Sequence, residues 1–192
     1  MGYAIGWLAV RGKVPEQVLA ELDAAPTGRQ LEFGTARLAA CRLSTGWFAV
    51  VINEAEHPWV GEDMLALLSD GAAEVLACRV EEHVMVSSAE LWRSGERQWR
   101  VVHDARLGRD HLVAEGRLPA AYAGIAAEHR QLAAAAAGKP VDHVFEVPLK
   151  LAQRLVGFKH DEGGAGGEGG WDELRHGPMP EQAPPGPWWK FW

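Results

Sequence analysis

The sequence predicts an α+β protein with a mainly antiparallel sheet, and three observations lead to this fold class. Short segments rich in Val, Leu, Ile and Trp alternate with segments whose apolar residues recur every three or four positions, a pattern typical of strands interleaved with amphipathic helices. Several of the strand segments are joined by short turns containing Gly, which suit antiparallel neighbours. The chain has 192 residues and is 47% hydrophobic, so it can bury a substantial core.

The N-terminal half has the order strand, helix, strand, strand, helix, strand. The predicted elements are a strand at 3–10, a helix opened by Pro15, strands at 37–43 and 47–53, a helix at 62–70 and a strand at 74–87. Proline suits a helix start because its missing N–H would have no partner there. This order is the split βαβ pattern of a ferredoxin-like sheet, and we expect the helices to pack on one face of it.

Beyond residue 87 we expect the antiparallel sheet to continue and two more helices to follow. Ser94 and Gly95 predict a tight turn that pairs Trp92 with Arg97 and, extended without interruption, pairs Val86 with His103. The remaining predicted elements are strands at 98–103, 111–115 and 141–147, a helix at 120–137 and a helix opened by Pro148. The inner face of the 120–137 helix is predicted to be Tyr122, Ile125, His129, Leu132 and Ala136.

Residues 1–160 are predicted to form one α+β domain. An echo between LAACRL at 38–43 and VLACRV at 75–80 leaves open an alternative of two pseudo-repeats, at about 1–72 and 73–160. Residues 161–187 are rich in Gly, Pro and acidic residues and cannot bury enough surface to offset the entropy lost on ordering. We therefore predict a flexible acidic linker over 161–187 within a disordered C-terminal tail.

Composition and charge exclude several classes of function. The formal net charge of −7 argues against a nucleic-acid-binding protein, which would concentrate Lys and Arg on one surface. No apolar run approaches the roughly 20 residues that span a bilayer. With two cysteines and no secretory signal pattern at the N-terminus, we expect a cytoplasmic protein.

The most unusual feature of the sequence is the cluster Trp188, Trp189, Phe191 and Trp192, with Lys190 among the rings. Large aromatic side chains dominate the energetics of protein interfaces, so we predict a docking motif. Three docking surfaces remain open: the protein's own body, a protein partner, and a membrane interface. The acidic linker disfavours the last near anionic lipid.

Four residues on the predicted central hairpin are candidates for catalysis: Glu82, His83, His103 and Asp104. Strict alternation along 74–87 places Glu82 on the apolar face of its strand, whereas a β-bulge would turn it outward. His83 and Asp104 would share a sheet face, where a His beside a carboxylate can act as a general base, although such a face can also be merely solvated. The sequence contains no phosphate loop, dinucleotide fingerprint, nucleophile elbow or HExxH motif, so we expect no cofactor and no metal.

Two segments, LACRVEEH at 76–83 and WRVVHD at 99–104, resemble parts of bacterial proteins to which we attach no activity. The resemblance therefore adds no functional residue. The sequence favours a soluble interaction, adaptor or immunity-type binding protein that uses its C-terminal aromatic motif, and a homodimer is compatible with this hypothesis. The alternative is a small hydrolase or other enzyme built on Glu82, His83, His103 and Asp104.

Overall fold

A computed structural model of the protein describes residues 2–136, 138–139, 141–162 and 170–177, and these form an α+β structure with a mainly antiparallel sheet. Its strands are β1 Ala4–Arg11, β2 Ala24–Leu31, β3 Leu38–Arg42, β4 Phe48–Ile52, β5 Glu74–Glu81, β6 Val86–Arg93, β7 Glu96–Asp104, β8 Val113–Gly116 and β9 Trp171–His176. The α-helices within the described residues are α1 Pro15–Glu21, α2 Glu62–Leu68, α3 Ala121–Ala135 and α4 Glu146–Val156. Short 3-10 turns occur at Pro58–Val60 and Ala105–Leu107.

The nine described strands form one sheet in the order β2-β9-β3-β4-β1-β5-β6-β7-β8, with antiparallel pairing throughout. Strand β1 lies in the middle, and its residues 5–10 are all buried. A strand that is apolar on both sides needs cover on both faces of the sheet. Strands β5 to β8 form a meander of consecutive strands, and β2, β9 and β3 form the opposite edge.

The helices lie on both faces of the sheet, so the prediction that they pack on one face is wrong. On one face, α3 and α4 cover a core that includes Trp7, Cys78 and Trp99. On the other face, α1 and α2 cover a core that includes Leu8 and Val50. Both cores exist because β1, β4 and β5 carry apolar residues at successive positions, which point alternately to opposite faces.

The ferredoxin-like detail of the prediction is not confirmed. Helix α1 leads into β2, a strand that the sequence did not predict because Pro26 and Gly28 are typical turn residues. Strand β2 lies at the edge of the sheet, and its residues 27–29 bulge out opposite the single residue Glu173 of β9. An edge position and a bulge both tolerate Pro and Gly within a strand.

The predicted strand at 74–87 is interrupted by a turn. Strand β5 ends at Glu81, residues 82–85 turn the chain, and β6 begins at Val86, which pairs with Glu81. Met85 adopts a positive φ of 52° in this turn. No Gly, Pro or Asn marks the turn, so the apolar alternation concealed it.

The register of the β6–β7 hairpin differs from the prediction beyond its first two pairs. Trp92 pairs with Arg97 as expected, but a register shift follows, and Leu91 pairs with Trp99. His103 therefore lies opposite Ser87 rather than Val86. One extra residue in β7 accounts for the shift, as in a β-bulge.

The predictions for residues 141–147 and for the inner face of α3 need correction. The strand expected at 141–147 is a loop followed by α4, because Asp142 Oδ1 accepts hydrogen bonds from the backbone N–H groups of Val144 and Phe145 and so begins the helical turn. Leu132 is exposed rather than on the inner face of α3, where His129 is buried. The sequence echo lies in β3 and β5, and the segments 1–72 and 73–160 differ in the order of their helices and strands.

The predicted linker at 161–187 contains part of the sheet. Residues Trp171–His176 form β9, which lies between β2 and β3. Trp171 and Leu174 of this strand are buried on opposite faces of the sheet, one in each core. The folded body therefore includes residues 171–176, which lie well beyond the predicted boundary at residue 160.

Candidate functional site

The side chains of the four residues proposed from sequence as a catalytic group each contact a different partner. Glu82 lies in the β5–β6 turn, where its Oε2 accepts a hydrogen bond of 2.9 Å from the backbone N–H of Tyr3. His83 is exposed in the same turn, with Nδ1 2.8 Å from Glu81 Oε1. In the part of the chain that the structure describes, no hydrogen bond or ion pair joins any two of the four.

His103 is fully buried and has a partner for each ring nitrogen. Its Nδ1 lies 2.7 Å from the carbonyl oxygen of His111, and its Nε2 lies 3.1 Å from Asp142 Oδ2. A carbonyl oxygen only accepts, so Nδ1 must donate, and Nε2 is occupied by the Asp142 carboxyl group. Neither nitrogen is therefore placed to take a proton from a substrate, and the ring instead ties β7 to the loop before α4.

Asp104 is held by Arg106. The Arg106 side chain donates hydrogen bonds to both carboxylate oxygens, at 2.9 Å from Nε and 2.7 Å from Nη2. These hydrogen bonds lower the pKa of Asp104 to about 2. Asp104 is therefore ionised at neutral pH and already paired, which does not suit a general acid.

A buried ionic cluster that sequence reasoning missed follows α4. Lys159 is buried, and its Nζ lies 2.7 Å from Asp161 Oδ2 and 3.0 Å from Glu146 Oε2. Burial alone would lower the pKa of Lys159, but the hydrogen bonds to Asp161 and Glu146 outweigh it and raise the pKa. A nucleophilic lysine needs the opposite shift, so this charged group ties the start of α4 to the segment after its end.

His160, next to Lys159, lies against the carboxylate of Glu82. The ring is only 1% exposed, packs edge-to-face on Tyr3 at 4.9 Å, and places Nε2 3.6 Å from Glu82 Oε1. Burial lowers the pKa of His160, although the nearby carboxylates of Asp161 and Glu82 oppose the shift. The contact joins the beginning of β1, the β5–β6 turn and the end of the α4 region.

Strand β9 anchors the C-terminal part of the chain in the sheet. Trp171 packs against Phe33 and Phe158, each with a ring-centre distance of 5.3 Å. On the two sides of β9, Asp172 pairs with Ala40 of β3 and with Gln30 of β2. The backbone N–H of Gly177 donates to the carbonyl of Asp23 at 2.8 Å, so the chain is held to residue 177.

The predicted docking residues Trp188, Trp189, Phe191 and Trp192 lie outside the described residues. Trp188 comes eleven positions after Gly177 in the sequence. The sequence did contain a signal for the anchor, since Trp171 and Leu174 are isolated apolar residues within a polar segment, but nothing local indicated which strands they would join.

A groove of about 340 Å³ lies beside β9 on the face covered by α1. Its floor is formed by the buried residues Leu19, Ala40, Phe48 and Leu174. Its rim carries the charged residues Glu16, Arg42 and Asp172. Two other lining residues, Pro26 and Gln30, flank the bulge of β2, so the groove lies where β2 departs from β9.

A second cleft, of about 500 Å³, lies between the end of α3 and the loop before α4. Arg109 and Arg130 line it, together with Asp142, the partner of His103. The Nη2 atom of Arg109 donates to the carbonyl oxygens of Lys139 and Val141. The cleft is larger than the groove beside β9, but Arg109 is already engaged in holding the loop in place.

Comparisons with known proteins give no match, whether to family models, curated proteins or solved structures. Among the described residues, no helix is long and apolar enough to cross a membrane. The same residues contain no group of three or more His, Cys, Asp or Glu side chains arranged to hold a metal ion.

Proposed function

We propose that this protein is an interaction protein, of the adaptor or immunity type, that binds a protein partner through Trp188, Trp189, Phe191 and Trp192. The observation that carries the proposal is β9. This strand holds the chain in the sheet as far as Gly177. The first of the four aromatic residues, Trp188, follows eleven positions later, so the motif is linked to the folded body by a short segment. A docking motif gains from such an anchor, because a short tether keeps the motif near the body that presents it.

The tether between Gly177 and Trp188 sets the reach of the motif. It has ten residues, 178–187, and half of them are prolines. A coil of that length has an r.m.s. span of about 16 to 19 Å, and a polyproline segment of that length extends to about 31 Å. The motif therefore acts within a few nanometres of the sheet edge.

The chemistry of the motif supports a modest affinity. Burying four large aromatic side chains stabilises a complex by roughly 6 to 12 kcal/mol. Ordering five residues with their side chains costs roughly 5 to 10 kcal/mol. The small net gain in binding free energy suits a complex that forms and dissociates readily. The net charge of −7 favours a basic surface on the partner.

The enzyme alternative has less support. The carboxylates of Glu82 and Asp104 and the ring of His103 each contact a different part of the body, and the exposed ring of His83 contacts Glu81. Catalysis by these four would need them within hydrogen-bond reach of one reacting group.

We further propose a cytoplasmic location and a protein partner rather than nucleic acid, with self-association as another form of the same interaction.

The test is a pull-down with the full chain from a lysate of the cells that express it, read by mass spectrometry. The test variant carries Trp188→Ser, Trp189→Ser, Phe191→Ser and Trp192→Ser. The matched control replaces four exposed apolar residues of the body by Ser: Leu67, Val84, Leu107 and Val113. We expect the test variant to lose a partner that the control retains. Identical captured proteins from all three chains would contradict the proposal.

A further inference from the structure

We propose that the groove beside β9 binds the chain's own aromatic motif, residues 188–192, so that the motif rests on the body until a partner displaces it. The inference rests on the proposed role of the motif in docking. It adds the surface that the motif occupies when no partner is bound. The occupant is a named segment of this chain, and three features of the described residues point to it.

The first feature is the position of the groove relative to the anchor. Strand β9 forms one wall of the groove through Asp172 and Leu174, and it also leads to the tether. Gly177 lies three residues beyond Leu174 and five beyond Asp172, or about 10 to 17 Å along a strand. The ten-residue tether has an r.m.s. span of about 16 to 19 Å, and effective concentration is highest where tether and distance match.

The opposite edge of the sheet is much less accessible to the motif. Strand β8 is separated from β9 by six intervening strands. At a spacing of about 4.8 Å between neighbours, this places β8 about 34 Å away. That distance is about twice the r.m.s. span of the tether and close to its extended length of about 31 to 36 Å. Proximity therefore favours the groove over surfaces at the meander edge.

The second feature is the chemistry of the lining. The floor is apolar and suits an indole ring, while the carboxylates of Glu16 and Asp172 at the rim suit the ammonium group of Lys190. The guanidinium of Arg42 is exposed at the same rim, 3.9 Å from Glu16, where it can lie over an aromatic ring. The charged rim of the groove and its apolar floor thus both match residues of the motif.

The third feature is size. At about 340 Å³, the groove is near the lower end of the range of ligand pockets, about 300 to 1,000 Å³. It therefore suits one inserted indole ring rather than all four rings. Trp188 and Trp189 come first after the tether, so we assign the inserted ring to this pair and place the others at the rim.

The test uses the full chain with a nitroxide spin label on Gly186→Cys, and NMR measures the loss of amide signal near the label. Both native thiols, Cys41 and Cys78, are buried, and labelling of the unsubstituted chain checks that they do not react. We expect the amides of Leu19, Ala40 and Leu174 to lose most of their intensity and that of Val113 on β8 to keep it. The same label is placed in the variant with the four aromatic residues replaced by Ser, where we expect the groove signals to recover.

Several outcomes would overturn the inference. Equal signal loss in the groove with and without the aromatic rings would mean that the tether alone brings the label near. Signal loss concentrated on another surface would identify a different dock. Loss that appears when spin-labelled chains are mixed with separate isotope-labelled chains would assign the motif to a second copy. None of these results involves a partner, so they can be told apart from failure of the pull-down.

A pair of charge reversals sharpens the same measurement. Asp172→Lys should repel Lys190 and reduce the signal loss in the groove. Glu56→Lys, at an exposed position that does not line the groove, should leave it unchanged. An equal effect of the two substitutions would contradict the assigned contact.

Discussion

The two edges of the sheet are built in different ways. At one edge, β6, β7 and β8 follow one another along the chain and pair through turns. At the other edge, β9 enters from the far end of the chain and separates β2 from β3. The edge formed by β6, β7 and β8, the meander edge, is therefore specified by local sequence. The edge formed by β2, β9 and β3, the composite edge, depends on a segment that is distant in sequence and that leads to the aromatic motif.

Each edge contains a tryptophan that is almost fully buried, and replacing it by Ala gives the largest expected effect. Trp171 of β9 is 3% exposed and Trp99 of β7 is 2% exposed. Each change to Ala should lower the free energy of unfolding by about 3 to 5 kcal/mol, measured by urea denaturation. Only Trp171→Ala should release β9 locally, because β9 pairs with β2 and β3, outside the meander, and can therefore leave the sheet without unfolding the meander.

Limited proteolysis under native conditions distinguishes the two variants. We expect cleavage within residues 170–177 in Trp171→Ala and little cleavage there in Trp99→Ala. If both variants are cleaved there to the same extent, β9 does not behave as a separable element and the contrast between the edges fails.

A smaller effect is expected at the meander edge from Asp142→Asn. Asp142 contacts the buried ring of His103 and accepts two backbone hydrogen bonds at the start of α4. If the amide oxygen keeps the two backbone hydrogen bonds, an NH2 group faces His103 Nε2 in place of a carboxylate oxygen, and the change should cost about 1 to 3 kcal/mol of unfolding free energy. The control is Asp110→Asn, an exposed residue of the same cleft, which should change stability by less than about 0.5 kcal/mol. Equal effects of the two changes would show that the His103 contact contributes nothing.

Mild acid should lower the free energy of unfolding, and one of the two histidines responsible lies at the composite edge. His57 stacks on His176, the last residue of β9, at a ring-centre distance of 5.7 Å, and burial lowers the pKa of His57. A histidine with a lowered pKa is protonated first in the unfolded state, so its contribution to stability is complete above the ordinary histidine pKa of 6.5 and falls as pH decreases through that value. Burial lowers the pKa of His160 in the same sense.

Urea denaturation between about pH 7.5 and pH 5 tests this expectation, because the carboxylates with lowered pKa values lose their contribution only at more acidic pH. The unfolding free energy should decline towards pH 5. The decline should be shallower in His57→Asn, which keeps a side-chain acceptor for the Trp59 N–H, and shallower still when His160→Phe is added. A flat profile for the unsubstituted protein would contradict the prediction.

Local patterns in the sequence predicted the elements that depend on neighbours in the chain. Pro15 with the buried Val18 and Leu19 predicted α1, and Ser94 with Gly95 predicted the turn between β6 and β7. The same reasoning failed where geometry interrupts a pattern. The bulge in β7 shifts the pairing by one residue, and each such shift moves side chains to new partners without any change in composition.

The composite edge lay beyond sequence reasoning for a different reason. Strand β9 has few apolar residues, and its backbone N–H and C=O groups pair with those of β2 and β3. Such nonlocal pairing leaves no periodic signal in the strand itself. For the same reason the groove could not be predicted, since its walls come from α1, β2, β3 and β9. Glu82 and His103 are ionisable residues within an apolar strand pattern, and this marks them in the sequence. Their partners, His160 and Asp142, are too distant in sequence to be predicted.

Strand β9 holds the C-terminal segment of the chain in the sheet, and hydrogen–deuterium exchange of the full chain measures how firmly it does so. The amide protons of Trp171–His176 should exchange about as slowly as those of Leu38–Arg42, the neighbouring strand, because both are paired within the sheet. Exchange of β9 as fast as that of the exposed loop at residues 34–35 would contradict the account, since it would mean that the strand does not hold the motif to the body.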